Sequence, residues 1–106
     1  VDSRDRIWVC SGSSVLVFAA GVNGNVSPIF TLGGNQTQLS FANVSLTFDP
    51  SSTLDVVNSQ SVGGTSSIVE FTGLDGNLPS NGNIAPARVL TGTATQLTGT
   101  FGIAAR

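Results

Sequence analysis

The chain has 106 residues, the length of one domain, and 9% of them are charged, giving a formal net charge of −2. Four Lys+Arg positions cannot form the basic patch that displaces phosphate counterions, so nucleic acid is not expected as a partner. With no His and one Cys, the chain cannot supply ordinary zinc sites or His-dependent triads. We therefore expect no enzyme, cofactor or metal site, although 40% hydrophobic residues predict a packed core.

The longest apolar run, Val15–Ala20, is far shorter than the roughly 20 residues of a membrane-spanning helix. Membrane insertion is therefore not expected. Cys10 is predicted to be a small buried hydrophobe within a strand. A chain rich in Ser, Thr, Asn and Gly and without Lys is typical of extracellular or cell-surface proteins.

Short apolar runs separated by turn residues predict about eight β-strands. Ile7–Cys10 and Val15–Phe18 flank the turn signal Ser11–Ser14. Val44, Leu46 and Phe48 then alternate with polar residues, as in a strand with one buried face. Similar runs follow at Ile68–Phe71 and Phe101–Ala104. Since no window shows helical periodicity, the chain is predicted to be all-β and antiparallel.

An internal repeat is the most specific signal in the sequence. Three segments recur in the same order: Ile7–Cys10 as Leu54–Val57, Ser13–Phe18 as Ser66–Phe71, and Asn23–Pro28 as Asn81–Pro86. Leu32 and Leu90 also correspond, as do the glycines Gly34 and Gly92. The chain is predicted to be a single β domain, residues 1–106, with repeat 1 at about 6–49 and repeat 2 at about 53–106.

The order of these motifs resembles a blade of the NHL-like β-propeller family: strand, Ser-Ser, strand ending in Phe, Gly-Asn-hydrophobic-x-Pro, strand, Leu-x-Gly, Thr-x-Leu. This resemblance implies four-stranded antiparallel blades around a channel, about two of them here and circularly offset. The sequence departs from the family at Asn43 and Val44, where Pro and Gly are usual, and at Phe101, which takes the Pro position. An Ig-like β-sandwich completed by strand exchange is the alternative fold.

The ends of the chain fall within repeats. In the propeller scheme the first three strands lack an inner partner, Ser45–Phe48 and the next three runs form one complete blade, and Phe101–Ala105 begins another. Because an apolar edge strand is a template for pairing, we expect head-to-tail strand complementation between copies, giving a ring or an extracellular fibre. The residues expected to take part are Arg6, Ile7, Trp8, Val9, Phe101, Ile103 and Ala104.

The runner-up function is a carbohydrate- or protein-binding lectin-like propeller. Its sugar sites would be the repeated loops Asn23–Asn25 and Asn81–Asn83, which are also ordinary turn sequences, with Trp8 as a stacking surface. Asn25, Asn35 and Asn43 head Asn-x-Ser/Thr sequons, so glycans are predicted there.

The carboxylates show no catalytic pattern. Asp2 and Asp5 alternate with Arg4 and Arg6, which predicts a solvated hairpin in which the charges screen one another. Asp49 begins an Asp-Pro-Ser-Ser turn.

Overall fold

The computed structural model describes residues 1–40, 43–59, 66–97 and 102–104. These residues form seven strands and one short 3-10 turn, Thr93–Thr95, with no α-helix among them. The strands are β1 (Ile7–Ser11), β2 (Ser14–Phe18), β3 (Phe30–Leu32), β4 (Asn43–Phe48), β5 (Leu54–Asn58), β6 (Ser67–Phe71) and β7 (Arg88–Leu90). The all-β prediction is confirmed.

The strands form two antiparallel sheets in which neighbours along the chain are neighbours in space. The first sheet has the order β1-β2-β3 and the second has the order β4-β5-β6-β7. The predicted division into a three-strand unit and a complete four-strand unit is therefore confirmed. The sheets do not close into a ring within the described chain.

The prediction of a strand at Phe101–Ala105 is wrong for the residues that the structure describes. Gly102, Ile103 and Ala104 lie in no strand, and Phe101 and Ala105 fall outside the described residues. A strand exists only where another strand satisfies its backbone groups, and none of the seven strands pairs with this segment.

The core lies between the two sheets because each strand alternates its side chains between two faces. The core face of the first sheet carries Trp8, Val15, Val17, Phe30 and Leu32. The core face of the second sheet carries Leu54, Val56, Val69 and Phe71, and Leu74 joins them from the loop after β6. Trp8 and Phe48 meet edge to face across the sheets, with ring centroids 5.0 Å apart.

Equivalent leucines in the two repeats test this placement of the core. Leu32 is fully buried, whereas Leu90 is 52% exposed. Leu32→Ala should lower the free energy of unfolding by about 2–5 kcal/mol because it leaves a cavity, and Leu90→Ala by less than about 1 kcal/mol. Urea denaturation of both variants measures the difference, and equal losses would contradict a core between the sheets.

Candidate functional site

A buried polar cluster fixes the start of β1. Asp2 Oδ1 accepts hydrogen bonds from the backbone N–H groups of Arg4 and Arg6, both at 3.0 Å. Asp2 Oδ2 accepts from Arg6 Nε at 2.6 Å and from Trp8 Nε1 at 2.8 Å. Arg6 Nη2 then donates to the carbonyl of Leu74 at 3.1 Å, so the cluster joins the first sheet to the loop after β6.

The prediction of a solvated hairpin is wrong for Asp2 and Arg6, which are buried, whereas Arg4 and Asp5 are exposed. The signal that was missed is Trp8. A buried indole N–H needs an acceptor, and the nearby Asp2 supplies one. Arg6 then balances the buried carboxylate charge.

The hydrogen bonds of the cluster set the pKa of Asp2. Burial acts to raise it, but the bonds donated by Trp8, by Arg6 and by the Arg4 backbone outweigh burial and lower the pKa below its usual value. The ionised carboxylate is therefore the form that stabilises the fold. This stabilisation is present above the ordinary Asp pKa and is lost as pH falls through the lowered value.

The same loop conformation occurs between β4 and β5. Asp49 Oδ1 accepts from the backbone N–H groups of Ser51 and Thr53, as Asp2 does from Arg4 and Arg6. Asp49 N donates to Thr53 O at 2.9 Å, and Asp2 N donates to Arg6 O at 3.3 Å. Each loop also has one residue near φ +60°: Asp5 at 59° and Ser52 at 62°.

The strands that follow these two equivalent loops, β1 and β5, differ in their pairing. In the second sheet the loop connects β4 to β5, and β4 pairs antiparallel with β5 along one edge of β5. In the first sheet the equivalent strand β1 pairs with β2 alone among the described strands. No described strand pairs with the other edge of β1, although β1 and β4 are in contact between the sheets.

The residues predicted to mediate self-assembly separate into groups. Ile7 and Val9 lie on the outer face of β1 and are 39% and 42% exposed. Arg6 and Trp8 are instead buried in the polar cluster and the core. Ile103 is half-buried and Ala104 is exposed, while Phe101 lies outside the described residues.

The two sheets pack head to tail rather than symmetrically. Ile7 and Val9, on the outer face of the first sheet, are equivalent to Leu54 and Val56 on the core face of the second. The outer face of the first sheet, defined by Ile7, Val9, Leu16 and Phe18, therefore repeats the surface that the second sheet buries inside the chain. This packing is not two-fold symmetric, so it leaves exposed in the first sheet a face whose equivalent is buried in the second.

The outer face of the second sheet carries a row of charged residues that has no counterpart in the first sheet. Asp55, Glu70 and Arg88 lie in register on adjacent strands, where the first sheet has Trp8, Val17 and Phe30 on its core face. Glu70 and Arg88 form an ion pair, whereas Asp55 Oδ1 is buried without a hydrogen-bond partner in the described structure. Burial, with the charges of Glu70 and Asp49, raises the pKa of Asp55, while Arg88 acts to lower it. On the same face, Val57 is fully buried within the chain, Ile68 is half-buried and Leu90 is exposed.

The second Asn-Gly-Asn loop makes a structural contact. Asn83 Oδ1 accepts from the backbone N–H of Gln36 at 2.9 Å, and Asn83 Nδ2 donates to Asn35 Oδ1 at 3.1 Å. Gly82 O accepts from the backbone N–H of Gly33. The loop thus fastens repeat 2 to the loop after β3. Trp8 is buried and therefore does not offer the predicted stacking surface, whereas the first loop, Asn23–Asn25, is exposed.

The predicted glycosylation sites differ in their surroundings. Asn25 and Asn35 are exposed, and Asn35 contributes its side-chain oxygen to the contact with Asn83. Asn43 begins β4, and the structure does not describe its side chain. Cys10 is half-buried rather than fully buried, and burial raises the pKa of its thiol.

The remaining features bear on ligand binding. Within the described ranges no three His, Cys, Asp or Glu residues are grouped so that they could hold a metal ion. An open depression of about 300 Å³ lies between Ser51–Thr53 and Thr72–Gly76, where Asp75 Oδ1 accepts two hydrogen bonds from Ser3.

Among the described residues, no helix has the length and apolarity needed to cross a bilayer.

Comparison of the chain with protein-family models, with curated proteins and with solved structures gives no match.

The paired loops provide a matched test of the polar cluster. Asp2→Ala should lower the free energy of unfolding by about 3–5 kcal/mol, because it leaves Arg6 buried without its partner. Asp49→Ala removes a similar turn without a buried ion pair and should cost about 1 kcal/mol. Urea denaturation at neutral pH measures both, and equal costs would show that the Arg6 and Trp8 bonds add nothing.

A second variant tests whether the buried charge of Asp55 destabilises the fold. Asp55→Asn removes a buried charge and should raise the free energy of unfolding at neutral pH by about 1 kcal/mol. Since the folded-state pKa is raised, this gain should vanish as pH falls through that pKa and the wild-type carboxyl takes up a proton. Asp5→Asn, at an exposed position, is the control. A destabilised Asp55→Asn variant would refute this account of the carboxylate.

Proposed function

We propose that this chain is a non-enzymatic structural subunit of propeller-like β repeats that assembles with copies of itself. The C-terminal segment of one copy adds as a strand to the outer edge of β1 in the next copy. Repetition of this contact gives a ring if the rotation closes and a fibre if it does not. An extracellular location, suggested by the Lys-free, Ser/Thr-rich composition, belongs to the same proposal.

The observation that carries this proposal is the loop that precedes β1. Asp2 and Asp49 accept the same pair of bonds from the backbone of their loops, so β1 and β5 begin in the same way. β5 is flanked by β4 and β6, whereas β1 is flanked by β2 alone within the described chain. A strand taken from another molecule would satisfy the backbone groups along this edge, as in β-strand addition.

The composition of the C-terminal segment agrees with the role of donor. Gly102–Ala104 pairs with no described strand, so a neighbouring copy can take it up without breaking an existing sheet. Ile103 has the apolar side chain that would pack beside Ile7 and Val9 when the strand is added. The order of strands within each sheet favours propeller-like blades over an Ig-like sandwich, in which strands cross between the sheets.

Ile103→Asp tests strand addition. Sedimentation velocity over a hundredfold concentration range should show the wild-type chain in multiples of 10.7 kDa. Ile103→Asp should remain a monomer, because a charge would enter an apolar contact. Ile29→Asp is the control, since Ile29 is exposed and its repeat equivalent, Ala87, is exposed within the chain, so no neighbour is expected to cover this position.

Two outcomes would overturn the proposal. One is a wild-type chain that stays monomeric at every concentration. The other is an Ile103→Asp variant that is folded by circular dichroism and assembles as the wild type does.

A further inference from the structure

The contact between the repeats consists of a loop and a surface that receives it. The inserted loop is Asn81–Asn83, and the receiving loop runs from Gly33 to Thr37. Three hydrogen bonds join them, from Gly33 N to Gly82 O, from Gln36 N to Asn83 Oδ1 and from Asn83 Nδ2 to Asn35 Oδ1. The internal repeat gives the chain a second copy of the inserted loop and a second copy of the receiving loop.

The second receiving loop, Gly92–Leu97, has the conformation of the first. Thr37 Oγ1 donates to Gly34 O at 2.7 Å, and Thr95 Oγ1 donates to Gly92 O at 2.6 Å. Thr37 Oγ1 and Thr95 Oγ1 each accept, at 3.2 Å, from the backbone N–H two residues later. Gln38 and Gln96 have φ values of 59° and 60°. The second surface is therefore already formed.

The glycines show which contact is occupied. A Cβ built on Gly34 would collide with Asn83, and one built on Gly82 would collide with the carbonyl of Thr31. A Cβ built on the equivalent Gly92 or Gly24 meets no atom within 4 Å. Within the described chain, the loops that contain Gly34 and Gly82 thus contact each other. The equivalent loops, which contain Gly92 and Gly24, have no such contact among the described residues.

Exposed apolar residues lie close in sequence to the two loops that lack this contact. Val26 is 42% exposed, whereas its equivalent, Ile84, packs on the core. Leu90 is exposed and its equivalent, Leu32, is buried. Together with Ile7 and Val9, these residues repeat a surface that is buried inside the chain, on the two sides that a head-to-tail neighbour would cover.

We infer that the Asn23-Gly24-Asn25 loop of one copy binds the Gly92–Thr95 loop of the next copy, with the bonding pattern of Asn83 and its partners. Asn25 Oδ1 accepts from the Ala94 N–H, Asn25 Nδ2 donates to Thr93 Oγ1, and Gly24 O accepts from the Thr91 N–H. This inference rests on the proposed self-assembly and names a contact distinct from strand addition. It makes copies stack as the two repeats do, with Leu90 covered by the neighbour.

The inserted loop changes conformation when it binds. Gly24 has φ +81°, whereas the docked Gly82 lies outside the left-handed region. Glycine is the residue that passes between these regions at little cost, which is why it is needed at this position. A glycan on Asn25 Nδ2 would place a bulky sugar at the atom that must approach the neighbouring loop, so glycosylation of this sequon blocks the contact.

Substitutions at equivalent positions test the contact in chain produced without glycosylation. Asn83→Ala should lower the urea midpoint of unfolding, because it breaks the contact within the chain. Asn25→Ala should leave that midpoint unchanged and weaken the association constant by about tenfold, through the loss of one or two hydrogen bonds. Sedimentation velocity measures the association constant.

The receiving loop is tested by Gly92→Asn, which fills the space that Asn25 would enter and should also weaken association. Gly73→Asn is the control, since Gly73 likewise has positive φ and open space around it. If Ile103→Asp dissolves the assembly but Asn25→Ala and Gly92→Asn assemble like wild type, the loop contact is refuted while strand addition stands. If the wild type does not associate, both fail.

Discussion

The packing of the first sheet on the second is the interaction on which the rest of the structure depends. Three short strands cannot bury enough apolar surface alone, so the first sheet is stable only while its core face is covered. Trp8 is central to this packing, because its ring meets Phe48 and its indole N–H binds Asp2. Asp2 in turn holds Arg6, which reaches the carbonyl of Leu74 beside the second sheet.

The direction of that packing has a further consequence. Since the first sheet uses one face and the second sheet uses the opposite one, a surface equivalent to a buried one remains outside. The exposed Ile7 and Val9 are what this relation predicts, given that Leu54 and Val56 are fully buried. In the proposed assembly, the charged row of Asp55, Glu70 and Arg88 would oppose stacking of copies, because covering these charges costs desolvation.

Much of the fold could be predicted from the sequence because its signals are local. Apolar runs of four to five residues and the matched segments of the repeat place the strands and divide them into three and four. The equivalence of Asp2 and Asp49 emerges from the structure, where each carboxylate accepts the same pair of backbone bonds before a strand. The buried state of Asp2 and Arg6 could not be predicted from charge alternation, since it depends on the tertiary burial of Trp8.

The loop contact between repeats was also beyond the sequence. Asn-Gly-Asn has the same letters in both repeats, yet one copy is docked and the other is open. What distinguishes them is the presence of a neighbouring repeat, which no local pattern records. Of the strand predicted at Phe101–Ala105, the described residues 102–104 lie in no strand for the same reason, because the pairing partner decides whether a segment is a strand.

Cross-linking between copies tests the central claim, that neighbouring molecules reuse the packing found between the repeats. The side chains of Asn83 and Asn35 touch within the chain, 3.1 Å apart, and their equivalents are Asn25 and Thr93. Asn25→Cys and Thr93→Cys chains, each with Cys10→Ser, should form a mixed disulfide dimer when they are combined under oxidising conditions. Asn35→Cys/Asn83→Cys, cross-linked within one chain, is the positive control. A control that closes while the mixture stays monomeric would contradict the account.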